Sequence, residues 1–280
     1  MRNMTEQTAT DVVIEELTAG GSPRIKEILT SLITHLHGFV REVGLTEQEW
    51  MEGIKFLEET GQIIPGEFIL LSDNLGVSVL VDLLNHRKPD GATENNMTGP
   101  FYQEDSPERP LSSRIYEQDD ADPLFWSGQV RALDGAPIEA ALLDIWQTAS
   151  NAQYQIMDEG QPKTNFRGKF RTNADGNYDF ETVTPLSYPI PTVGSVGKLL
   201  KAIGRPEIRP AHVHFKVSAD GFEPLTTMIF PSGDKYLGQD PVFGVRDSLV
   251  IDVKKHDDDE GNRKAPFYTA EFDFVMVPAT

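Results

Sequence analysis

The chain has 280 residues, enough for one large domain or two modest ones. Its 44 Asp and Glu residues exceed the 25 Lys and Arg residues, and the net charge of -19 disfavours binding to nucleic acids or anionic membranes. Cysteine is absent, which excludes disulfides, thiolate nucleophiles, iron-sulfur clusters and cysteine-ligated zinc. Because no apolar signal core or membrane-length apolar stretch is present, we predict a cytoplasmic protein.

Three segments in the first third of the chain have the apolar periodicity of helices. They cover residues 24–41, 46–61 and 68–84. In the first, Ser22 is a candidate N-cap and Pro23 a candidate first helical residue. The second begins with a capping box formed by Thr46 and Glu49. We predict that the third segment is largely helical and mostly buried.

The composition then changes twice along the chain. Residues 86–125 are rich in Pro, Asp, Glu, Ser and Gly, which is typical of a connecting segment on a surface. Beyond it the apolar period becomes 2, and Asp-Gly turn pairs separate the runs. Strands are predicted over residues 141–147, 166–172, 178–183, 211–218, 225–230, 249–253 and 267–277. This number and spacing suggest a β-sandwich, and we predict a domain boundary near residue 105, with domains at 1–105 and 106–280.

Two histidine pairs share the spacing His-x-His, but their predicted elements differ. His35 and His37 are on the first helix, where residues two apart point about 200° away from each other. They are therefore interpreted as residues on the flanks of a helix. His212 and His214 lie in AHVHFKVS, where apolar residues alternate with them. Residues two apart on a strand point the same way, so both imidazoles can reach one metal ion, although a solvent-facing strand would look the same.

A metal ion at this strand would need further ligands. The remaining histidines are His86 and His256, and the latter lies in the charged run KKHDDDEG, which is typical of a solvated loop. Three tyrosines, by contrast, lie in predicted loops near strand ends, at Tyr102, Tyr154 and Tyr188. A phenol with its ordinary pKa of about 10 is ionised at neutral pH only beside a strongly charged cation, a role that suits ferric iron. The pattern alone allows a ferric site of two tyrosines and two histidines, or a sandwich without metal.

Four long segments between residues 144 and 249 have a distinctive order. They are DIWQTASNAQY, FRTNADGNYDFETVTPLSYPIPTVGSVGKLL, RPAHVHFKVSADGFEPLTTMIF and GDKYLGQDPVFGVRDSL. Together they resemble the intradiol ring-cleavage dioxygenases, which are non-haem ferric enzymes that split catechols between the two hydroxyl-bearing carbons. The N-terminal helices and the GPFY segment are similar to the catechol and hydroxyquinol branch of that family. The resemblance implies a mainly β protein, with a β-sandwich catalytic domain and an N-terminal α-helical dimerisation domain.

The resemblance also implies the residues of a metal site. Carried over by position, the ligands of one ferric ion per subunit would be Tyr154, Tyr188, His212 and His214. Tyr188 would also be catalytic, because the arriving substrate displaces it and it takes up a proton. Arg209, three residues before His212, would stabilise negative charge that develops on the substrate.

A substrate pocket is implied in the same way. Its lining would comprise Val79, Asp82, Gly99, Pro100, Phe101, Ile190, Pro191, Met228 and Val242. Met228 is a departure, since many relatives have glutamine there, and Thr98 stands where the hydroxyquinol branch has an aromatic residue. Asp82 lies in an apolar stretch, and a buried carboxylate needs hydrogen-bond donors, for which a substrate hydroxyl is one candidate.

The expected reaction is ring cleavage by O2 of a catecholic substrate bound to iron through both oxygens. The segments YPIPTVGSVGKLL and PVFGVRDSL, with Asp82, favour hydroxyquinol (1,2,4-trihydroxybenzene), which would give 3-hydroxy-cis,cis-muconate, equivalent to maleylacetate. Catechol or chlorocatechol, giving a muconate or chloromuconate, is the alternative. A further alternative is a non-catalytic sandwich that binds a small molecule.

The N-terminal helices also predict an assembly. Their apolar stripes exceed what a single sandwich would cover, so we predict a homodimer that forms through these helices. The resemblance further implies a phospholipid bound at the dimer interface.

Overall fold

The computed structural model describes residues 4–63, 66–117 and 119–279. The chain divides into two compact units, Met1–Glu59 and Thr60–Thr280. This division differs from the predicted limits at residue 105, and those limits stay a prediction. The helices of the first third are α1 (Ala9–Leu17), α2 (Pro23–Glu42), α3 (Glu47–Gln62), α4 (Glu67–Asn74) and α5 (Val77–Asn85). None of the described helices is long and apolar enough to cross a membrane.

Both predicted helix starts are confirmed. The Ser22 hydroxyl accepts a hydrogen bond from the Ile25 N–H at 3.3 Å, which caps α2. Before α3, the Thr46 hydroxyl accepts from the Glu49 N–H at 3.2 Å, and the Glu49 carboxylate accepts from the Thr46 N–H at 3.0 Å. This reciprocal pair satisfies two N–H groups that a helix start leaves without partners.

The segment 68–84 is largely helical, as predicted, but the prediction that it is mostly buried is wrong. The helix is interrupted at Leu75 and Gly76, where Gly76 has a φ of +72° that ends one helix and begins the next. Its apolar side chains are also largely exposed, with Ile69 at 62% and Leu80 at 56%. The buried residues of α4 and α5 are Glu67, Leu71, Asn74 and Asp82. The face turned to the protein interior is therefore mainly polar, which periodicity alone does not reveal.

Most strands in the rest of the described chain belong to two sheets. The strands are β1 (Pro123–Ala132), β2 (Leu142–Gln147), β3 (Arg167–Arg171), β4 (Asn177–Val183), β5 (Tyr188–Pro189), β6 (Ile208–Arg209), β7 (Val213–Ser218), β8 (Leu225–Pro231), β9 (Val250–Ile251), β10 (Lys254–His256), β11 (Phe267–Glu271) and β12 (Phe274–Met276). Helix α6 (Ser195–Ala202) lies between β5 and β6. One sheet has the order β10-β11-β1-β12, with β4 also paired to β1, and the other has the order β3-β2-β7-β8-β9. Strands β5 and β6 form a separate pair.

Aromatic side chains from both sheets fill the space between them. Phe215 on β7 contacts Trp126 on β1 and Phe274 on β12, with ring centroids 5.3 and 5.0 Å apart. All three side chains belong to one buried apolar cluster. Face-to-face packing of two sheets is the architecture of a β-sandwich, so the predicted fold class is confirmed.

One long strand was not predicted. Strand β1 begins inside the segment 86–125 that its composition assigned to a connection. Its sequence FWSGQVRA has Ser, Gly and Gln at its centre, which interrupt the apolar alternation. Gly128 is needed there, because a Cβ would lie 1.8 Å from the Phe272 backbone oxygen. The predicted strands at 249–253 and 267–277 are also shorter or interrupted, at β9 and between β11 and β12.

Candidate metal centre

The four predicted ligand residues converge at one buried place in the second unit. Tyr154 Oη lies 3.3 Å from His212 Nε2, and His212 Nε2 lies 3.2 Å from His214 Nε2. The Tyr154 and Tyr188 rings are perpendicular, with centroids 5.5 Å apart. All four residues are buried. Metal–ligand bonds of about 2.0–2.2 Å put neighbouring donors roughly 3.0–3.5 Å apart, so this arrangement fits one metal ion.

The sandwich positions these side chains through strand pairing. His214 is on β7, with His212 one residue before the strand begins, so both imidazoles leave the same face of the sheet. Tyr188 on β5 is paired with Arg209 on β6. Tyr154 precedes a short helical turn in the loop after β2. In the part of the chain that the structure describes, no cluster of three or more His, Asp or Glu side chains could hold a metal, so a metal here depends on the tyrosines.

Burial prepares the histidines to act as ligands. His212 Nδ1 lies 2.8 Å from the Pro210 carbonyl oxygen, which can only accept, so Nδ1 donates and Nε2 presents its lone pair. Desolvation and the charge of Arg209 lower the pKa of His212 to about 3. Desolvation also lowers the pKa of His214. Both imidazoles are therefore neutral at physiological pH, which is the state that binds metal ions.

The pKa of Tyr154 shifts in the opposite direction from those of the two histidines. Burial raises its pKa well above 10, and the nearby Tyr188 adds to the rise. An ionised Tyr154 therefore needs a cation beside it, as the sequence argument expected. The donor set of two phenols and two neutral imidazoles suits a hard, highly charged metal such as ferric iron.

Arg209 is held beside these donors by a carboxylate that sequence reasoning missed. Its Nε and Nη2 lie 3.2 and 3.3 Å from the two carboxylate oxygens of Asp240. Its Nη1 lies 3.4 Å from Tyr188 Oη and 3.3 Å from His212 Nε2. Burial alone would raise the pKa of Asp240, but Arg209 and the Gly244 N–H lower it. No sequence signal singles out Asp240, because it lies 31 residues from Arg209 in a loop.

Three predicted pocket residues contact the centre directly. The Phe101 ring stacks on Tyr154 with centroids 4.5 Å apart. Gly99 lies beside His214, since a Cβ at Gly99 would be 3.4 Å from His214 Cε1. Met228 Sδ lies 3.5 Å from Arg209 Nη2. The thioether thus lies directly beside the Arg209 guanidinium.

For the other predicted pocket residues the structure shows burial and a few hydrogen bonds. Val242 is buried and its N–H donates to Asp240 at 3.3 Å. Ile190 is buried and Pro191 half-buried a short way after Tyr188, while Pro100 and Thr98 are exposed on either side of Gly99. No described contact joins these side chains to the four donor atoms, and their role stays a prediction.

The Asp82 carboxylate has hydrogen-bond partners other than the four candidate ligands. Its Oδ1 accepts from Asn95 Nδ2 at 2.7 Å and lies 2.8 Å from His86 Nδ1. Asp82 lines a cavity of about 810 Å³ that is bounded mainly by residues 82–95. Val79, one turn earlier on α5, is half-buried. A role for either residue in substrate binding stays a prediction.

The remaining histidines have other partners. His35 Nδ1 lies 2.8 Å from the Ser31 carbonyl oxygen, and His37 Nδ1 lies 3.1 Å from the Thr10 hydroxyl, as suits residues on the flank of α2. The interpretation of His256 as part of a solvated loop is wrong. It is half-buried on the edge strand β10, with its ring stacked on Phe267 at 4.5 Å.

Two further residues beside the centre were not predicted. The Trp146 ring stacks on the His214 imidazole, with centroids 4.6 Å apart and planes 6° apart. Arg167 donates to the Phe101 backbone oxygen at 2.5 Å. Trp146 pairs with His214 on one side and with Arg167 on the other. The period-2 pattern could have placed Trp146 on a sheet face, but only strand order puts it against His214.

Comparison with known proteins agrees with this fold. A family model described as "Dioxygenase" matches residues 97–278, and one described as "Catechol dioxygenase N terminus" matches residues 22–93. The chain belongs to the intradiol ring-cleavage dioxygenases, a family of enzymes that use iron. The recognition made from the sequence is confirmed.

Particular relatives cover almost the whole chain. Hydroxyquinol 1,2-dioxygenase of Rhizobium sp. is 41% identical over 281 residues, covering 97% of this chain and 95% of that protein. 6-chlorohydroxyquinol 1,2-dioxygenase of Cupriavidus pinatubonensis is also 41% identical and covers 99% of each chain. The solved structure of hydroxyquinol 1,2-dioxygenase from Pseudomonas putida DLL-E4 is 42% identical, with a TM-score of 0.93 and coverage of 98% of this chain and 99% of that chain.

Proposed function

We propose that this enzyme cleaves hydroxyquinol with O2 between its adjacent hydroxyl-bearing carbons, giving 3-hydroxy-cis,cis-muconate, equivalent to maleylacetate. The reaction would take place at one Fe(III) per subunit, with Tyr154, Tyr188, His212 and His214 as ligands. The observation that carries the proposal is the convergence of these four buried donors beside Arg209. The choice of hydroxyquinol is supported by the names of two relatives that are 41% and 42% identical to this chain.

The bound metal would supply Lewis acidity and the electron transfer that makes the ring reactive towards O2. The protein would supply geometry and charge. Tyr188 Oη, which lies 3.4 Å from Arg209 Nη1, would take up a substrate proton as the substrate binds. Arg209 would then face the substrate oxygens and stabilise the negative charge that develops on them, because Asp240 holds its guanidinium in place.

The surroundings of the donors would orient the ring and exclude water. Phe101 contacts Tyr154 and Met228 contacts Arg209. Phe101 and Met228 would both line the pocket. We include the other predicted lining residues in the proposal, namely Val79, Asp82, Gly99, Pro100, Ile190, Pro191 and Val242. A dry site strengthens the interaction between Arg209 and a developing charge, because the local dielectric constant is lower than in water.

The test is the absorption spectrum and turnover of purified, iron-loaded protein. We expect a broad visible band from tyrosinate-to-iron charge transfer that shifts when hydroxyquinol is added without oxygen. We also expect kcat/KM for hydroxyquinol to exceed that for catechol and chlorocatechol, since branch preference depends on a few pocket contacts. A higher kcat/KM for catechol or chlorocatechol would change the proposed substrate but not the proposed reaction. If the protein stays colourless after iron loading, the proposed ferric site is wrong. The alternative of a non-catalytic sandwich that binds a small molecule would then remain.

We also propose that the protein is a homodimer formed through its N-terminal helices. Support comes from a stripe of exposed apolar side chains along α2, at Ile25, Ile28, Leu32, Leu36 and Phe39. Sedimentation at micromolar concentration should give twice the monomer mass of 31.2 kDa, and a monomer would contradict the proposal. A phospholipid at this interface, as the family resemblance implies, should be recovered by solvent extraction of the purified protein.

A further inference from the structure

Residues 93–102 form an irregular strap that passes two of the candidate ligands. No helix or strand includes these residues. A Cβ at Gly99 would lie 3.4 Å from His214 Cε1. The Phe101 ring stacks on Tyr154, with ring centroids 4.5 Å apart. An irregular segment has no ladder of backbone hydrogen bonds to fix its path, so the position of the strap depends on the particular groups that anchor it.

Asn96 anchors the strap through its backbone and through its side-chain amide. Its N–H donates to the Thr226 carbonyl oxygen on β8 at 2.7 Å. Its Nδ2 donates to the Gly244 carbonyl oxygen at 2.5 Å, and its Oδ1 accepts from the Met97 N–H at 2.9 Å. The residue is 1% exposed. A buried amide whose donor and acceptor are both used holds its partners in one arrangement.

Asn96 is the last anchor before the part of the strap that reaches the ligands. Among the described residues, no hydrogen bond joins residues 97–100 to a residue outside the strap. The next anchor is at Phe101, whose backbone oxygen accepts from Arg167 Nη2 at 2.5 Å. Gly99 is therefore held between two anchors, and loss of the one at Asn96 would lengthen the span without hydrogen bonds.

Gly244 connects Asn96 to the guanidinium of Arg209. It lies in the Asp240 loop (residues 240–244), where its N–H donates to Asp240 Oδ2 at 2.8 Å. Asp240 in turn holds Arg209 with both carboxylate oxygens. Gly244 also lies against Arg209 itself, because a Cβ at Gly244 would be 3.1 Å from Arg209 Nη2. Gly244 thus accepts a hydrogen bond from the strap and donates one to the carboxylate that directs Arg209.

We propose that Asn96 is a positioning residue for the ring-cleavage reaction. Its side-chain amide couples the strap beside His214 to the Asp240 loop, and thereby sets the distance between Gly99 and Arg209. The inference rests on the proposed function, because Gly99 and Arg209 matter to the reaction only if the substrate binds beside them.

The test compares the unmodified, full-length protein with Asn96→Leu, Asn96→Ala and a matched control. Asn96→Leu keeps the volume of the side chain but removes the bonds to Gly244 and Met97, and Asn96→Ala also removes the volume. The control is Thr93→Val, because the buried Thr93 anchors the other end of the same strap. Its hydroxyl accepts from the Val275 N–H at 2.8 Å and does not involve the Asp240 loop. Thermal unfolding checks folding, and Asn96→Ser replaces any Asn96 variant that does not fold.

The first measurement is amide hydrogen exchange of the iron-free protein, followed by mass spectrometry. Loss of a buried hydrogen bond increases local opening. We expect exchange in residues 97–101 and in residues 240–246 to become about 5- to 10-fold faster in both Asn96 variants. Thr93→Val should leave exchange in residues 240–246 unchanged. Because no iron is needed, this result does not depend on the proposed ferric site.

The second measurement is the steady-state kinetics of the iron-loaded protein with hydroxyquinol. Both Asn96 variants should lower kcat by about 10- to 100-fold, since a displacement of about 1 Å in a reacting geometry has an effect of that size. KM should rise by less than about threefold, because Arg209 acts on charge that develops during the reaction. Thr93→Val should keep kcat within about twofold of the unmodified protein, as expected for an anchor away from Arg209.

Unchanged exchange in residues 240–246 of a folded Asn96 variant would overturn the inference, because the strap and the Asp240 loop would then not be coupled. So would an unchanged kcat in the Asn96 variants, or a fall in kcat as large in Thr93→Val as in Asn96→Leu. If the unmodified, iron-loaded protein turns over none of hydroxyquinol, catechol and chlorocatechol, the proposed function is wrong. The exchange result then still decides whether Asn96 couples the strap to the Asp240 loop.

Discussion

Asp240 holds Arg209 with both of its carboxylate oxygens, and the pair is buried within the β-sandwich unit. The two contacts measure 3.2 and 3.3 Å, and Asp240 also accepts from the backbone N–H groups of Val242 and Gly244. This leaves one nitrogen of the guanidinium, Nη1, directed at Tyr188 and His212. A planar, bidentate contact fixes the direction of an arginine as well as its distance. Arg209 is therefore aimed at the candidate centre by a carboxylate outside it.

We predict that Asp240→Asn weakens both stability and catalysis. The change leaves Arg209 buried without a counter-charge, and breaking such a pair costs about 3–5 kcal/mol in the free energy of unfolding. Loss of an aimed charge-stabilising donor lowers kcat by about 100-fold or more. Urea unfolding and steady-state kinetics check the two effects. Asp252→Asn, at an exposed residue that accepts from Ser232, is the control, and equal effects in the two variants would contradict the prediction.

Tyr154→Phe should strongly weaken iron binding without disturbing the fold. The substitution keeps the ring that stacks on Phe101 but removes the oxygen beside His212. Iron affinity should fall by more than the roughly 100-fold that loss of an outer partner produces, and the visible band should weaken strongly. Iron analysis by mass spectrometry gives the metal content. Tyr116→Phe removes a hydroxyl that donates to Glu181 instead, and it should keep its iron. A full iron content in Tyr154→Phe would exclude Tyr154 as a ligand.

Gly99→Ala should impair the site more than it impairs the fold. Gly99 has a φ of +71°, and its new Cβ would lie 3.4 Å from His214 Cε1. Gly135 has a φ of +87° with nothing within 4 Å of a Cβ, so Gly135→Ala carries similar backbone strain away from the site. Each substitution should cost about 1–2 kcal/mol of stability, and only Gly99→Ala should change kcat/KM and the absorption band. Equal kinetics in the two variants would show that Gly99 does not act on His214.

Glu67→Ala should destabilise the connection between α4 and α6. The buried Glu67 carboxylate accepts from the Val196 N–H at 2.9 Å and from the Ser195 hydroxyl at 3.2 Å. It therefore caps α6 from another helix, and Gly194 leaves it room, because a Cβ there would lie 2.0 Å from Glu67 Oε1. Loss of this cap should cost about 1–3 kcal/mol. Glu67→Gln keeps an acceptor and should lose less, as thermal unfolding can measure. A larger loss in Glu67→Gln than in Glu67→Ala would refute the capping role.

Local signals in the sequence predicted those parts of the molecule that depend on near neighbours. The capping box at Thr46 and Glu49 and the cap at Ser22 involve residues three apart, and both form as expected. The His-x-His spacing on a strand likewise placed His212 and His214 on one face. The order of the motifs then identified the family and the candidate ligands. Motifs can be recognised along a chain without knowing which residues they contact in space.

Strand β1 and the exposed faces of α4 and α5 could not be predicted in the same way. Gly128 in β1 follows from the approach of Phe272, which is far away in the chain. The polar inward face of α4 follows from its contact with α6, where Glu67 meets Val196 across 129 positions. Local periodicity cannot distinguish an apolar face that packs on the sandwich from one that remains exposed.

The sequence by itself determined the family, the spacing of apolar residues in each segment and the residue types available to bind a metal. Tertiary structure decided which polar groups meet: Asp240 reaches Arg209 across 31 positions, and Arg167 reaches the Phe101 backbone oxygen across 66. Trp146 meets His214 because β2 lies beside β7. Electrostatic and stacking interactions depend on distance in space, and strand order sets that distance only after the chain has folded.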